Sequence, residues 1–264
     1  MVTELPAATE SLRDEVRSFV TAEIEPVASQ YDRDGTYPAD LLAELSERGY
    51  TGLTLPEARG GAGRSLLDLT VLIEELSTAM MPVASVLALN LGVATIVERF
   101  GTEEQRDRYV PELARFETVG ALGLSEETAG SDKSGIETEA ERDGDGWVLS
   151  GRKRWVTNFP EADVVLTYAR TGPRADWPHN VSAFLVPAAA FEIERVWDTF
   201  GARSVETVAV SLSEVRVPDD NRIGEIGEAY VDRGQVHTGV NVPARAVGIA
   251  RAALEDAVEH VGER

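Results

Sequence analysis

The chain has 264 residues, of which 46 are Asp or Glu and 25 are Lys or Arg, so its formal net charge is −21 at pH 7. A charge of this sign repels DNA, RNA and anionic membrane surfaces and argues against a nucleic-acid reader. The absence of Cys excludes a disulfide scaffold and a thiol nucleophile, and three widely spaced His do not support a His-rich metal site.

Neither the amino-terminal segment nor the apolar stretches indicate targeting or a membrane span. Residues 1–16 are acidic and lack the basic and apolar regions of a signal peptide. The longest apolar stretch, Val83–Ile96, is interrupted by Ser85 and Asn90 and is too short to span a bilayer. We therefore expect a cytoplasmic protein without a nucleic-acid or membrane partner.

The first zone of the chain, residues 8–117, is predicted to be helical. Apolar residues from Leu12 to Val27 recur at helical spacing, with Thr9 or Ser11 as the expected N-cap. Further helices are predicted over Asp40–Arg48, Asp68–Ala79 and Val83–Arg99, and after a capping Thr102. The stretch Val83–Arg99 is apolar nearly all round, which predicts a buried helix.

The second zone, residues 119–218, changes to the alternation typical of β-strands. Two alternating runs on either side of Asp143–Gly146 predict a hairpin. Further strands are predicted over Val164–Tyr168, Val181–Val186, Phe191–Val196 and Thr207–Val217. Several short strands separated by turn signals predict a compact barrel or sandwich.

A third zone follows Pro218–Asn221 and returns to helical spacing from about Tyr230 to Val261. A single helix with an apolar face gains most of its stability from packing. The sequence does not indicate what this helix packs against.

The segment Ala121–Asp132, at the change from helices to strands, is dense in small and polar residues. Gly130 permits an unusual backbone angle, and Ser125 and Ser131 offer hydrogen bonds close to exposed amides. Such a turn could hold an anionic or heteroaromatic cofactor. Taken alone, such a turn is more often just a polar connection.

Trp155 and Thr157 are two residues apart, so on a strand their side chains share a face. There the indole could cover an aromatic ring and the hydroxyl could donate one hydrogen bond. The alternative is a core Trp beside a surface Thr.

Three pairs of adjacent glutamates occur in the chain. Because neighbours in sequence rarely converge on one substrate, we expect solvated faces at Glu74–Glu75, Glu103–Glu104 and Glu126–Glu127.

Taken in order, several motifs resemble those of the acyl-CoA dehydrogenase family of FAD flavoproteins. Gly101–Ala114 reads GTEEQRDRYVPELA and is similar to the family's GTEEQ-x-x-x-Y-L-P-x-L-A stretch. Leu124–Asp132 reads LSEETAGSD and resembles the flavin motif [TS]-E-P-x-A-G-S-D. Weaker resemblances follow at Trp155–Asn158 (WVTN), Gly201–Arg203, Val215–Pro218, Asn221–Glu225 and Val247–Leu254.

The resemblance implies an α+β multidomain fold. Its parts are an N-terminal α-helical bundle over residues 1–118, a middle β-barrel or sandwich over 119–220, and the start of a C-terminal α-helical segment over 221–264. The family binds FAD between the middle domain and the C-terminal bundle. A Glu base removes the α-proton of an acyl-CoA thioester while hydride passes from the β-carbon to flavin N5.

The resemblance also assigns site residues. Leu122, Leu124, Ser125, Gly130 and Ser131 would border the flavin, with Ser125 at its pyrimidine edge and Ser131 also approaching acyl-CoA. In the segment Trp155–Asn158, Trp155 would flank the flavin ring and Thr157 would form a hydrogen bond near N5. Val156, between them, would also contact the cofactor.

The sequence departs from the family pattern where the base is expected. Thr238 stands at one family position of the catalytic Glu, and Gly239 follows it where many relatives have a CoA-binding Arg. Most of the C-terminal bundle, which holds the other family position of the base, is expected to be missing. Its loss is expected to leave an apolar surface around Val247, Ile249 and Leu254.

Three functions remain open from the sequence. The first is an acyl-CoA dehydrogenase represented by a shortened chain, with acyl-CoA as substrate and an electron-transfer flavoprotein as electron acceptor. The second is an inactive subunit that pairs with a complete relative. The third is an acyl-CoA oxidase or flavin monooxygenase on the same fold. In each case we expect a homo- or hetero-oligomer.

Overall fold

The computed structural model describes residues 4–232 and 238–262. The amino-terminal part is helical, as predicted. Its helices are α1 (Ala7–Phe19), α2 (Glu25–Asp34), α3 (Ala39–Glu47), α4 (Leu66–Ala79), α5 (Met81–Phe100) and α6 (Glu103–Ala114). A π-helical stretch, Val20–Ile24, joins α1 to α2.

Of the predicted N-caps, the one at α1 was wrong and the one at α6 is confirmed. Thr9 and Ser11 lie inside α1, because Pro6 precedes it and its carbonyl accepts from the backbone N–H of Thr9 at 2.9 Å. The expectation of a side-chain cap there was wrong. Thr102 caps α6 in a reciprocal pair with Gln105, as predicted.

Helix α5 forms the centre of the helical domain. It is long and apolar enough to cross a membrane by length and composition, with a mean hydropathy of 1.6, but 67% of it is buried in the protein. Its side chains pack against α3, α4 and α6 in one continuous core. The buried position explains why this helix has no polar face.

The middle part is a β-sheet of eight strands. They are β1 (Gly120–Gly123), β2 (Glu139–Asp143), β3 (Gly146–Thr157), β4 (Val164–Arg170), β5 (Val181–Pro187), β6 (Glu192–Val196), β7 (Thr207–Pro218) and β8 (Arg222–Ile223). The order is β6-β7-β3-β2-β4-β5-β8, and β1 pairs parallel to β4. The predicted hairpin is β2–β3. Since β8 pairs with β5, the sheet extends past residue 220, where the proposed boundary of the middle domain lies.

The sheet separates two cores. Leu166 and Tyr168 on β4 face the helices, whereas Val165 and Ala169 face a second core inside the β domain. Within that second core Trp147 on β3 meets Phe184 on β5 edge to face, with ring centroids 5.5 Å apart. Because β2 and β4 lie between β3 and β5, this contact requires a strongly curled sheet.

Beyond the sheet the chain forms α7 (Glu228–Val231) and α8 (Thr238–Gly262), where one helix over Tyr230–Val261 was predicted. Helix α8 packs against α4 at Gly248, where a Cβ atom would lie 2.3 Å from the carbonyl oxygen of Glu74. Only glycine allows this approach. As expected, an apolar surface remains exposed on α8, at Val247, Ile249 and Leu254.

One buried carboxylate ties three helices together. Glu75 of α4, with 2% of its side chain exposed, accepts from Nε of Arg17 on α1 at 3.0 Å. It also accepts from both terminal nitrogens of Arg251 on α8, at 2.9 and 2.5 Å. The expectation that Glu75 is solvated was therefore wrong, because two arginines from distant parts of the chain converge on it.

Candidate functional site

Residues at the end of β1 and directly after it lie against an apolar cavity. Leu122, at the end of β1, and Leu124 are half-buried and line a cavity of about 260 Å³. Helix α5 contributes Val93 and Ile96 to its wall, and Tyr168 of β4 lies at its side. The two predicted cofactor residues are thus brought together in an apolar wall.

The β1–β2 loop, residues 124–138, is fixed against β3. The backbone N–H of Arg154 donates to the carbonyl oxygen of Ser125 at 2.7 Å. The guanidinium of Arg154 also pairs with the carboxylate of Glu127. These contacts place the loop beside Trp155, so the two segments predicted to form one site are neighbours.

Beneath the loop lies a buried ion pair between Glu126 and Lys153. The carboxylate accepts from Lys153 Nζ at 2.6 Å and from the backbone N–H groups of Glu137 and Thr138 at 2.6 and 3.2 Å. The ammonium also donates to the carbonyl oxygen of Tyr168 at 2.6 Å. The expectation that Glu126 is solvated was wrong, because the sheet brings a lysine under it.

Burial and pairing act in opposite directions on this pair. Burial lowers the pKa of Lys153 to about 8, although Glu126 acts to raise it. Burial alone would raise the pKa of Glu126, but Lys153 and the backbone hydrogen bonds hold that pKa below its usual range. Glu126 is therefore ionised at neutral pH and holds the loop in place.

Three predicted residues of the loop differ in their surroundings. The hydroxyl of Ser125 accepts from Lys133 Nζ at 3.0 Å. Gly130 and Ser131 are exposed and line neither the cavity at Leu122 nor a second one at Thr157. Gly130 does not occupy the left-handed region that a glycine permits.

On β3, Trp155 presents an exposed aromatic face. Its side chain is 52% exposed and stacks on Trp197, with ring centroids 4.3 Å apart. Its φ of +59° is unusual for a bulky residue. Core burial, the alternative considered for this Trp, is therefore wrong.

The side chains of the two residues after Trp155 lie in different environments. Val156 is fully buried in the second core, so its side chain does not reach the surface. Thr157 lines a second cavity, of about 280 Å³, and its hydroxyl lies 3.0 Å from that of Thr207.

The two cavities adjoin and form what we call the α5–α8 cleft. Both are lined by Ala88 and Leu89 of α5 and by Asn241 and Arg245 of α8. One end is apolar, at Leu122 and Leu124, and the other carries the hydroxyls of Thr157, Thr199 and Thr207. A planar ring with one apolar side and hydrogen-bonding edges suits such walls. The residues therefore fit a flavin.

Sequence reasoning missed four residues of this region. Asn241 and Arg245 lie in the first half of α8, where most other residues are apolar. Glu126 and Lys153 are 27 positions apart in the chain. A signal was available for one of them, since the chain has only two lysines and one stands two residues before Trp155.

Comparison with known proteins agrees with this fold. Residues 6–117 match the model of the acyl-CoA dehydrogenase N-terminal domain, and residues 121–215 match that of the middle domain. The short-chain specific acyl-CoA dehydrogenase of Bos taurus mitochondria is 33% identical over 99% of this chain and 64% of its own length. The chain belongs to the acyl-CoA dehydrogenase family.

Solved structures show the same likeness. Butyryl-CoA dehydrogenase from Megasphaera elsdenii superposes with a TM-score of 0.92 at 30% identity, covering all of this chain and 71% of the other. A glutaryl-CoA dehydrogenase from Mycobacterium smegmatis, solved in complex with FADH2, superposes with a TM-score of 0.86 at 26% identity. That match covers 98% of this chain and 67% of the other. The chain thus spans about two thirds of the length of these relatives.

Proposed function

We propose that this chain forms the flavin- and acyl-binding part of an FAD-dependent acyl-CoA dehydrogenase, which oxidises the Cα–Cβ bond of an acyl-CoA thioester. The observation that carries the proposal is the α5–α8 cleft, where Leu122 and Leu124 from one segment and Thr157 from the other line adjoining cavities. Family membership supports the same activity.

The cofactor in this proposal is FAD, bound against the β1–β2 loop and β3. Leu122 and Leu124 would lie against the ring, Trp155 would flank it, and the hydroxyls of Ser125 and Thr157 would bond its polar edges. Gly130, Ser131 and Val156 would complete the contact, Val156 through its backbone. When bound, FAD supplies an acceptor for a hydride.

The acyl chain would occupy the apolar end of the cleft. Val93, Ile96 and Leu122 offer a wall without charge, which favours burial of methylene groups by about 0.8 kcal/mol each. Ser131 would approach the CoA part from the exposed loop. Water excluded from the apolar end would leave the thioester in a low-dielectric setting, where any hydrogen-bond donor aimed at its carbonyl oxygen acts more strongly.

The base for the α-proton is not found among the described residues. Neither cavity is lined by an Asp or Glu within residues 4–232 and 238–262. The side chain of Thr238, at one family position of the base, lies outside the described residues. This observation favours a second candidate function, a binding subunit that lacks turnover alone and pairs with a complete relative.

The remaining expectations belong to the same proposal. The substrate is an acyl-CoA, the electron acceptor is an electron-transfer flavoprotein, the assembly is a homo- or hetero-oligomer, and the location is cytoplasmic. A partner chain that supplies a carboxylate at the cleft would complete the active site.

The test is the spectrum of the purified chain with FAD, titrated anaerobically with butyryl-CoA and octanoyl-CoA. Bound flavin that bleaches supports the dehydrogenase. Bound flavin that does not bleach supports the binding subunit, and rapid reoxidation of reduced flavin by oxygen supports an oxidase or monooxygenase instead. A chain that takes up no FAD contradicts all three.

A further inference from the structure

Arg245 is a positive charge placed at the junction of the two cavities. It extends from α8 and lines both of them, together with Ala88 and Leu89 of α5. The wall of the cavity at Leu122 consists of apolar groups such as Ile96 and Leu124. The cleft therefore holds one cation in surroundings that otherwise suit an acyl chain.

The partners of Arg245 are all neutral. Nη1 donates to the hydroxyl of Ser85 at 2.5 Å, Nη2 to the side-chain oxygen of Asn241 at 3.1 Å, and Nε to the backbone oxygen of Asn241 at 3.4 Å. No Asp or Glu among residues 4–232 and 238–262 lies within 4.0 Å of it. The segment 233–237 contains no Asp or Glu at all.

A second arginine on the same helix, in contrast to Arg245, has carboxylate partners. Arg251 pairs with Glu74 and Glu75. Burial acts to lower the pKa of both arginines, but these carboxylates raise the pKa of Arg251 above its usual value, whereas that of Arg245 stays lowered. Arg245 is thus a partly buried cation without a counter-ion among the described residues.

Such an arrangement calls for an anionic ligand. A partly desolvated guanidinium is costly unless an anion pairs with it, and its three neutral hydrogen bonds do not use all of its donors. Carboxylates match the planar fork of a guanidinium and accept two hydrogen bonds from it. Ser85 and Asn241 hold the fork in the cleft, so little ordering is needed when an anion arrives.

The size of the cleft selects among anions. Each cavity, at about 260 and 280 Å³, lies below the range of roughly 300–1,000 Å³ usual for drug-sized ligands. A short chain that ends in a carboxylate fits the apolar cavity of about 260 Å³.

We propose that Arg245 binds a carboxylate at the far end of the acyl chain, so that the substrates are thioesters of short dicarboxylic acids with CoA. This inference rests on the proposed function and specifies its substrate class. Ser85 and Asn241 act as positioning residues for the guanidinium.

The test compares thioesters that differ only at the chain end. Isothermal titration calorimetry of the FAD-loaded chain would use succinyl-, glutaryl- and adipoyl-CoA, each against the monocarboxylic thioester of the same carbon number. Several lengths are used because the chain length is not fixed by the proposal. At the best length the carboxylate should improve the affinity by roughly tenfold or more, as expected for a charge-assisted pair.

Variants then separate the role of the charge from that of packing. Arg245→Met should abolish the preference, Arg245→Lys should keep part of it, and Ser85→Ala should weaken it. Arg216→Met, an exposed arginine of β7, serves as the matched control and should retain it. Circular dichroism of each variant monitors folding.

Two results would overturn the inference, and they differ. Equal affinity for the paired thioesters, unaltered in Arg245→Met, contradicts the role of Arg245 and leaves the proposed function intact. Failure of the chain to bind any acyl-CoA contradicts the proposed function, and the inference falls with it.

Discussion

Lys153 donates to Glu126 directly beneath the β1–β2 loop, with Nζ 2.6 Å from Oε1 and both side chains at most 4% exposed. The same ammonium reaches the carbonyl oxygen of Tyr168, whose ring borders the apolar cavity. One buried cation therefore connects the loop, β3 and β4, and the shape of the candidate site depends on it.

Removing one member of this pair should destabilise the chain strongly. Lys153→Met leaves the Glu126 carboxylate buried without its cation, which should cost about 3–5 kcal/mol in the free energy of unfolding. The double variant Lys153→Met/Glu126→Gln should recover part of that loss, since no uncompensated charge remains. Urea unfolding at pH 7 of both single variants, Lys153→Met and Glu126→Gln, and of the double variant measures these losses. Additive losses would show that the two side chains do not interact.

The contribution of Glu126 should also depend on pH. Its pKa is lowered in the folded state, so its stabilisation is present above the ordinary value near 4.5 and is lost as the pH falls through the lower folded value. The stability difference between the wild type and Glu126→Gln should therefore shrink below about pH 4.5. Thermal unfolding between pH 7 and pH 3.5 tests this, and a constant difference would contradict it.

Trp155 should contribute to FAD binding through its exposed face. Trp155→Ala removes the stacking surface and should weaken FAD binding several-fold, up to roughly tenfold. Trp155→Phe keeps an aromatic ring and should retain most of the affinity. Titration of the apoprotein by flavin fluorescence gives the dissociation constants; equal values for Ala and wild type would exclude Trp155 from the site.

The close approach of α8 to α4 should be sensitive to one methyl group. Gly248→Ala would place a Cβ atom against the Glu74 carbonyl and should push α8 away. Gly262→Ala, in the same helix with open space around it, is the matched control. Hydrogen exchange along α8 should rise in the first variant and not in the second, and Arg245 should lose its contact with Ser85.

The apolar face of α8 should bind hydrophobic probes. Leu254 and Val258 are both 64% exposed, so the purified chain should enhance ANS fluorescence or self-associate. Leu254→Glu/Val258→Glu should reduce both effects, with Glu255→Gln as control. A monomer by sedimentation that does not bind ANS would contradict this prediction.

Periodicity predicted the helices and most strands because their apolar residues repeat with one period. It placed the start of α4 too late, since the capping pair of Ser65 and Asp68 lies ahead of the apolar run. It missed the end of the sheet because β8 has only two residues, fixed by pairing with β5. Local patterns do not contain such long-range pairings.

The sequence pointed to residues of the cleft only where they lie within a short motif. Leu122, Leu124 and Thr157 were found from short stretches of sequence, and all three line the cleft. Arg245 was not found, because its position in the cleft depends on how α8 rotates and docks at Gly248. Glu126 was expected to be solvated because adjacent glutamates are usually exposed. The lysine that pairs with it, Lys153, lies on β3 and is distant in sequence.

The anchor at Glu75 has a practical consequence for handling this protein. Arg17 lies near the beginning of the chain and Arg251 near its end, and both pair with the carboxylate of Glu75. Proteolytic trimming at the amino terminus, or a fusion tag that unwinds α1, would remove one of the two arginines that pair with this carboxylate and loosen α8. Preparations that differ only in their first twenty or so residues would then differ in ligand affinity far from the cut.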